Sequence, residues 1–264
     1  MTGAGMLAKV GNAKKLPLVD LPKDTMVLVD VMAFFFDIIK TIAQKRSMVD
    51  ICSMLLRRFD DHPAVEFYLD GHGNQQKLAT SLERRDKSAL LREAEIIIGV
   101  MDGLARQGRR IKRSLYKRFH KILRSVIVIG GFEKTALVTL LVLMDKNVTV
   151  APGEADLAIR QRADELVKEN KQFVVVGNDC DYCIHPSIPV LLRPRGEKYV
   201  RYDIDKCLEA SGMTRAQYTA LGITGNSDYS LNPPGIGIAT STKIIKEVSE
   251  RKSTFFLVFF FWYK

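Results

Sequence analysis

Phe173-Val174-Val175-Val176-Gly177-Asn178-Asp179-Cys180-Asp181 is a short apolar, largely β-branched run that stops at a glycine and then delivers two carboxylates within three residues. Such a run, bounded by a turn signal, reads as a buried strand of an α/β sheet. Two other segments end the same way. Thr25-Met26-Val27-Leu28-Val29 leads into Asp30, and Val65-Glu66-Phe67-Tyr68-Leu69 leads into Asp70. Asn147-Val148-Thr149-Val150 is a fourth strand candidate, followed by Ala151-Pro152-Gly153-Glu154-Ala155-Asp156. Pro152 suits the first turn of a helix beginning there, which would put Glu154 and Asp156 in that turn. A single aspartate after a strand reads equally well as a turn former or helix cap. Two close pairs, together with the singles Asp30, Asp70 and Asp228 at such positions, favour side chains delivered into a shared crevice outside the carboxyl ends of the strands. Carboxylates gathered there repel one another unless cations sit among them, and hard oxygen ligands select Mg²⁺ or Mn²⁺ over zinc.

The chain has 264 residues, 47% of them hydrophobic, enough for one large domain or a domain with an inserted helical subdomain. Its 40 Lys and Arg against 30 Asp and Glu leave a net charge of +10. The excess is local. Arg106, Arg109, Arg110, Lys112, Arg113, Lys117, Arg118, Lys121 and Arg124 occur in a stretch without an acidic residue. A solvated helix face mixes both signs, so a one-sign run reads as a surface for a polyanion. Leu115, Phe119, Ile122 and Val126 recur at helical spacing through it, which places the run on an amphipathic helix.

Four cysteines make no disulfide framework in a chain of this length, and a reducing intracellular compartment fits them. Cys180 and Cys183 form a lone C-x-x-C without a second pair or paired histidines, which argues against zinc. The four histidines share no ligand spacing, and only His72, close to Asp70, stands out. No continuous apolar core marks a secretory signal at the amino terminus. Residues 254–264, Thr-Phe-Phe-Leu-Val-Phe-Phe-Phe-Trp-Tyr-Lys, are apolar without period and too few to span a bilayer. They read as a truncated or misread gene end in preference to a core-closing element or a membrane anchor.

If a helix begins near Asn74, Lys77 and Arg84 lie two turns apart on one face, projecting back toward Asp70. Cations beside an acidic metal site stabilise charge on a reacting phosphate; two ordinary surface cations are the plainer reading. Near the carboxyl end, Gly235-Ile236-Gly237 enters a helical stretch carrying Thr240 and Ser241, where backbone N–H groups offer a phosphate contact.

Taken in order, these motifs resemble the flap endonuclease (XPG) nucleases of the PIN-like superfamily. The resemblance rests on the Asp30 strand, Phe-Tyr-Leu-Asp-Gly with Lys77 and Arg84 beyond it, Ala-Pro-Gly-Glu-Ala-Asp, the Asp179-Cys-Asp181 turn, and Gly-Asn-Ser-Asp-Tyr before Gly-Ile-Gly. It implies an α/β, PIN-like three-layer fold with a central, mostly parallel sheet, a basic helical arch and a helix-two-turn-helix near a truncated carboxyl end. By that resemblance Asp30, Asp70, Glu154 and Asp156 serve one Mg²⁺ (or Mn²⁺), and Asp179, Asp181 and Asp228 a second, with some bridging. Lys77 and Arg84 match the catalytic basic residues, residues 85–129 the arch that passes a single-stranded 5′ end, and Gly235 to Ser241 the duplex grip, often with K⁺. Ile238 and Ala239 stand where the family carries basic residues, and no sliding-clamp peptide is visible. The implied organisation is 1–85 and 147–250 as two parts of the nuclease domain, 86–146 as arch and 251–264 as an aberrant tail. The implied activity is two-metal hydrolysis of DNA with 5′ single-stranded or flap character, in repair or replication, by a nuclear monomer. RNA remains a possible partner, and an inactive or RNA-directed scaffold on the same fold is the alternative.

Overall fold

The structure, a computed structural model, describes residues 15–16, 20–32, 47–60, 62–71, 87–126, 131–195, 198–224 and 237–250. In chain order these form β1 (Lys15–Leu16), β2 (Met26–Asp30), α1 (Met48–Leu56), β3 (Val65–Leu69), α2 (Ser88–Arg106), α3 (Arg113–Val126), α4 (Gly131–Leu143) and β4 (Asn147–Val150). Then come α5 (Ala155–Lys168), β5 (Phe173–Val176), a 3₁₀ turn (Asp181–Cys183), β6 (Val190–Arg195), β7 (Lys198–Asp203), α6 (Ile204–Ser211), α7 (Arg215–Thr224) and α8 (Ile238–Glu250).

The strands build one sheet in the order β1-β7-β6-β5-β2-β3-β4. The pairings from β6 through β5, β2 and β3 to β4 are parallel, while β7 runs antiparallel to β6 and to β1. Strand alternation sends successive side chains to opposite faces. Val27, Val29, Phe67, Leu69, Val174, Val176 and Leu192 pack with Ile51, Leu55 and Phe59 at α1 and with Leu137 and Leu141 of α4. Leu28, Tyr68, Val175 and Leu191 face the other way, against Ile159, Ala163 and Leu166 of α5, Ile204 and Leu208 of α6, and Leu221 of α7. Both faces of the central strands are therefore covered, which explains their uninterrupted apolar composition. The result is the expected three-layer α/β arrangement with a mostly parallel sheet.

Three elements were not legible beforehand. β6 and β7 form an antiparallel pair in which Leu192 lies opposite Arg201 and Pro194 opposite Tyr199, and the cations and proline of β6 hide the apolar run. α4 falls within the stretch 86–146 that the resemblance assigns to the arch. It belongs to the main core, since Leu137 and Leu141 are both buried there.

The basic run differs from the single helix expected for it. Arg106 closes α2, Arg109, Arg110 and Lys112 lie in the connection, and only Arg113 onward is α3. Gly108, at φ +65°, supplies the left-handed residue that reverses the chain. Leu115, Phe119, Ile122 and Val126 do share a face, as their spacing predicts, but they turn it toward α2. There, with Leu90, Ala94, Ile97 and Met101, they form a small core separate from the sheet.

Leu141 has no exposed surface, whereas Phe132 on the same helix is 83% exposed. Leu141→Ala is expected to cost about 3 kcal/mol in urea denaturation, and Phe132→Ala less than about 0.5 kcal/mol.

Candidate functional site: an acidic crevice at the strand ends

From β2 the chain proceeds to β3 and β4 on one side, then crosses to β5 on the other. The strand order thus reverses between β2 and β5, and in an open parallel sheet that is where side chains and ligands meet beyond the carboxyl ends. Register sharpens the point. Val29 pairs with Val176 and Asp30 with Tyr68, so Asp30, the segment after Val176 and the segment after Leu69 all leave the sheet at one edge.

Asp30 points to the α5 side of the sheet and is buried at 7% exposure. Its Oδ2 accepts a 2.7 Å hydrogen bond from the phenol of Tyr182, a side chain with no exposed surface. Gly177 makes this contact possible: a Cβ there would stand 2.9 Å from the Tyr182 ring and 3.6 Å from the Asp30 Cβ. Burial, followed by the charge of Asp30 and the hydrogen bond to it, pushes the Tyr182 phenol well above its usual value, and the charges of Asp156 and Asp179 add to this. Three predicted acids from three separate elements therefore bear on one hydroxyl.

Asp70 follows β3, and its Oδ1 accepts a 2.9 Å hydrogen bond from the Ala155 N–H. A carboxylate from one strand end thus caps the helix that begins after the next strand, where the helix dipole favours negative charge. Glu154 occupies the N-cap position without using its own side chain as a cap, and Asp156 lies in the first turn. The helix begins three residues after Pro152, later than the proline suggested. Asp156 pairs with Arg160 at 3.1 Å. Asp179 Oδ1 accepts from the Asp181 N–H at 3.0 Å, the local turn that aspartate forms readily. Asp179 and Asp181 are exposed, while Asp70, Glu154 and Asp156 are half-buried. The crevice thus grades from a buried carboxylate on β2 to solvent-facing ones on the loop after β5.

Among the described residues no three acidic, histidine or cysteine side chains stand close enough to enclose a metal ion. The donor chemistry nonetheless suits a hard divalent cation, because Asp30, Asp70, Glu154, Asp156, Asp179 and Asp181 offer carboxylate oxygens there. The neighbouring thiols do not compete. Burial pushes the Cys180 and Cys183 thiols up, the Arg193 charge opposing this and Asp179 adding to it. Asp228, Lys77, Arg84 and Gly235, the helix start near Asn74 and the tail 254–264 lie outside the described residues.

A second network holds α5 against β3. Arg162 donates to Glu66 through Nε and Nη2 at 3.2–3.3 Å and to Glu165 through Nη1 at 2.9 Å, and Tyr68 donates to Glu66 at 2.7 Å. Glu66 and Tyr68 are two apart on β3 and so share a face. This clamp sets where the first turn of α5 lies relative to Asp70. Sequence reading passed over it, although a glutamate inside an apolar run was the available signal. Tyr182 was also missed; its signal was its place directly after Asp181.

Arg106, Arg109, Arg110, Lys112, Arg113, Lys117, Arg118 and Lys121 are all exposed, and the side chain of Arg124 is not among those described. Arg118 pairs with Glu93 of α2 at 2.7 Å. At the carboxyl end α8 packs on α7. The Ser241 N–H bonds the Gly237 carbonyl at 3.0 Å, Thr240 is exposed and Ser241 is buried, so this turn presents Thr240 and the backbone at Gly237 to its surroundings.

No protein-family model matches the chain. Curated proteins do. Flap endonuclease 1 of Eremothecium gossypii is 33% identical over 114 residues, 41% of this chain and 29% of that protein. Flap endonuclease 1 of Trypanosoma brucei gambiense is 35% identical over 123 residues, 44% of this chain and 30% of that protein. The matched segment therefore spans under a third of these relatives. Among solved structures, the catalytic core of Rad2 in complex with DNA substrate superimposes with a TM-score of 0.60 at 17% identity, over 94% of this chain and 69% of that catalytic core. Flap endonuclease-1 from Methanococcus jannaschii gives 0.56 at 16% identity, over 89% and 75%. T5 5′-exonuclease, solved with divalent metal ions (zinc) bound, gives 0.50 at 14%, over 84% and 75%.

The Glu66–Arg162 pair is largely buried, with side-chain exposures of 10% and 24%. Arg162→Met leaves the Glu66 carboxylate uncompensated and is expected to cost about 3 kcal/mol in chemical denaturation, and adding Glu66→Gln should restore much of that.

Proposed function

We propose that this chain, a relative of the flap endonuclease and XPG-type nucleases by partial sequence identity and by fold, is a nuclease that hydrolyses phosphodiester bonds in DNA bearing 5′ single strands or flaps. The observation that carries the reading is the delivery of Asp30, Asp70, Asp156 and Asp179 from four separate elements to the reversal point of a parallel sheet. A scaffold has no use for that much mutual repulsion.

Divalent ions, Mg²⁺ or Mn²⁺, would supply activation of the attacking water and neutralisation of the charge that builds on the phosphate. Asp30, Asp70, Glu154 and Asp156 would hold one, and Asp179, Asp181 and Asp228 the other. Lys77 and Arg84 would stabilise the phosphate's negative charge from the protein side. The exposed cations from Arg106 to Lys121 would track the backbone of a single strand without reading bases, as would Arg124. The α7–α8 turn at Gly237 and Thr240, with Gly235, Ser241 and a K⁺ ion, would grip the duplex. Such a protein would act as a monomer where DNA is repaired or replicated, which in a eukaryotic cell is the nucleus.

Cleavage of a labelled 5′-flap DNA with Mg²⁺ tests the reading. Asp179→Asn or Asp181→Asn is expected to abolish cleavage and spare binding. A protein that binds flap DNA but leaves it intact under every divalent ion would be the scaffold instead, and preferential cleavage of an RNA strand would move the substrate class. Replacing both Lys117 and Lys121 by Ala should lower the slope of log affinity against log salt by about 2. Lys77→Ala should reduce turnover more than binding, measured by single-turnover cleavage alongside a DNA titration.

A further inference from the structure

Tyr182 occupies a position that hydrolysis itself does not call for. It sits in the 3₁₀ turn opened by Asp181, yet its hydroxyl reaches across the sheet edge to Asp30 at the end of β2, 152 residues earlier in the chain. Its ring has no exposed surface and packs with Ile159 and Leu28 of the α5-side core. The glycine at 177 leaves room for it: an added Cβ would meet the ring at 2.9 Å. A carboxylate held through one oxygen has lost rotation about its Cβ–Cγ bond, and a buried donor of fixed position does the holding. The two acidic groups assigned above to separate ions are thereby joined by a single hydrogen bond.

We infer that Tyr182 is a positioning residue for metal binding: its phenol fixes the Asp30 carboxylate and ties it to the loop carrying Asp179 and Asp181, so that both acidic groups are pre-set together. The inference rests on the nuclease reading for the purpose of the site. Hydrogen bonds of this kind to a ligating carboxylate orient it, and their loss lowers metal affinity by about 10- to 100-fold. Tyr182 touches neither substrate nor water in this role. It acts only through Asp30.

The experiment is Mn²⁺ titration by calorimetry, without DNA, on the whole chain and on Tyr182→Phe, which keeps the ring and removes the hydroxyl. Far-ultraviolet circular dichroism of the same samples verifies folding. The expected result is a loss of Mn²⁺ affinity of about tenfold or more, together with a smaller rise of the melting midpoint on adding Mn²⁺ than the parent chain shows. A purely structural tyrosine would lower the midpoint in metal-free buffer and leave the affinity where it was. Should Tyr182→Phe fail to fold, Gly177→Ala displaces the ring instead of removing its hydroxyl and should weaken Mn²⁺ in the same direction. A parent chain that binds Mn²⁺ and variants that bind it equally well would overturn the role of Tyr182 and leave the nuclease reading intact. A parent chain that takes up no Mn²⁺ would overturn both.

Discussion

Negative charges brought together at the ends of parallel strands repel one another, and everything near the crevice answers that repulsion. Four of the acids described there are tied to donors, two of them distant in the chain and two local. Asp30 accepts from a buried phenol, Asp70 from the first amide of a helix, Asp156 from an arginine one turn on, and Asp179 from the backbone of its own turn. None of these donors neutralises a carboxylate entirely, and three of the four are neutral dipoles. The acids are held in place while the site as a whole keeps its negative charge, the condition under which a hard cation is attracted without rebuilding the surroundings.

The layers on either side supply the rigidity this needs. Charges can be aimed only if the strands that carry them do not slide, and in this sheet both faces of β2 and β5 are buried, so a slip of one residue would exchange two incompatible cores. The Glu66–Arg162–Tyr68 network adds a polar lock between α5 and β3. It is directional where packing is not, and it fixes the rotation of the helix whose first turn faces the crevice.

Much of this was legible in the residues. The runs ending at Asp30, Asp70 and Gly177 were visible because parallel strands buried on both faces are largely apolar, Glu66 being the exception in β3. The strand Asn147–Val150 was found at its observed bounds, although its side chains are mostly exposed. What escaped notice depends on partners distant in sequence. β6 carries Arg193, Pro194 and Arg195, acceptable in an antiparallel pair with β7 but contrary to a simple apolar pattern. Tyr182 escapes notice because the carboxylate its hydroxyl bonds lies 152 residues away in the chain. The reversal at Gly108 was hidden because the cations on either side of it, Arg106 before and Arg109, Arg110, Lys112 and Arg113 after, read as one run. Sequence identity to the curated relatives covers 41–44% of the chain, while the fold superimposes over 94% on Rad2.

The pair of helices carrying the cationic run closes on its own cluster, in which, among the described residues, Ala94, Ile97 and Ile122 are the buried members. Its cohesion is therefore independent of the sheet and much smaller. A unit held by so few buried side chains is the kind that opens locally first, so its amide hydrogens are expected to exchange with solvent before those of β2 or β5.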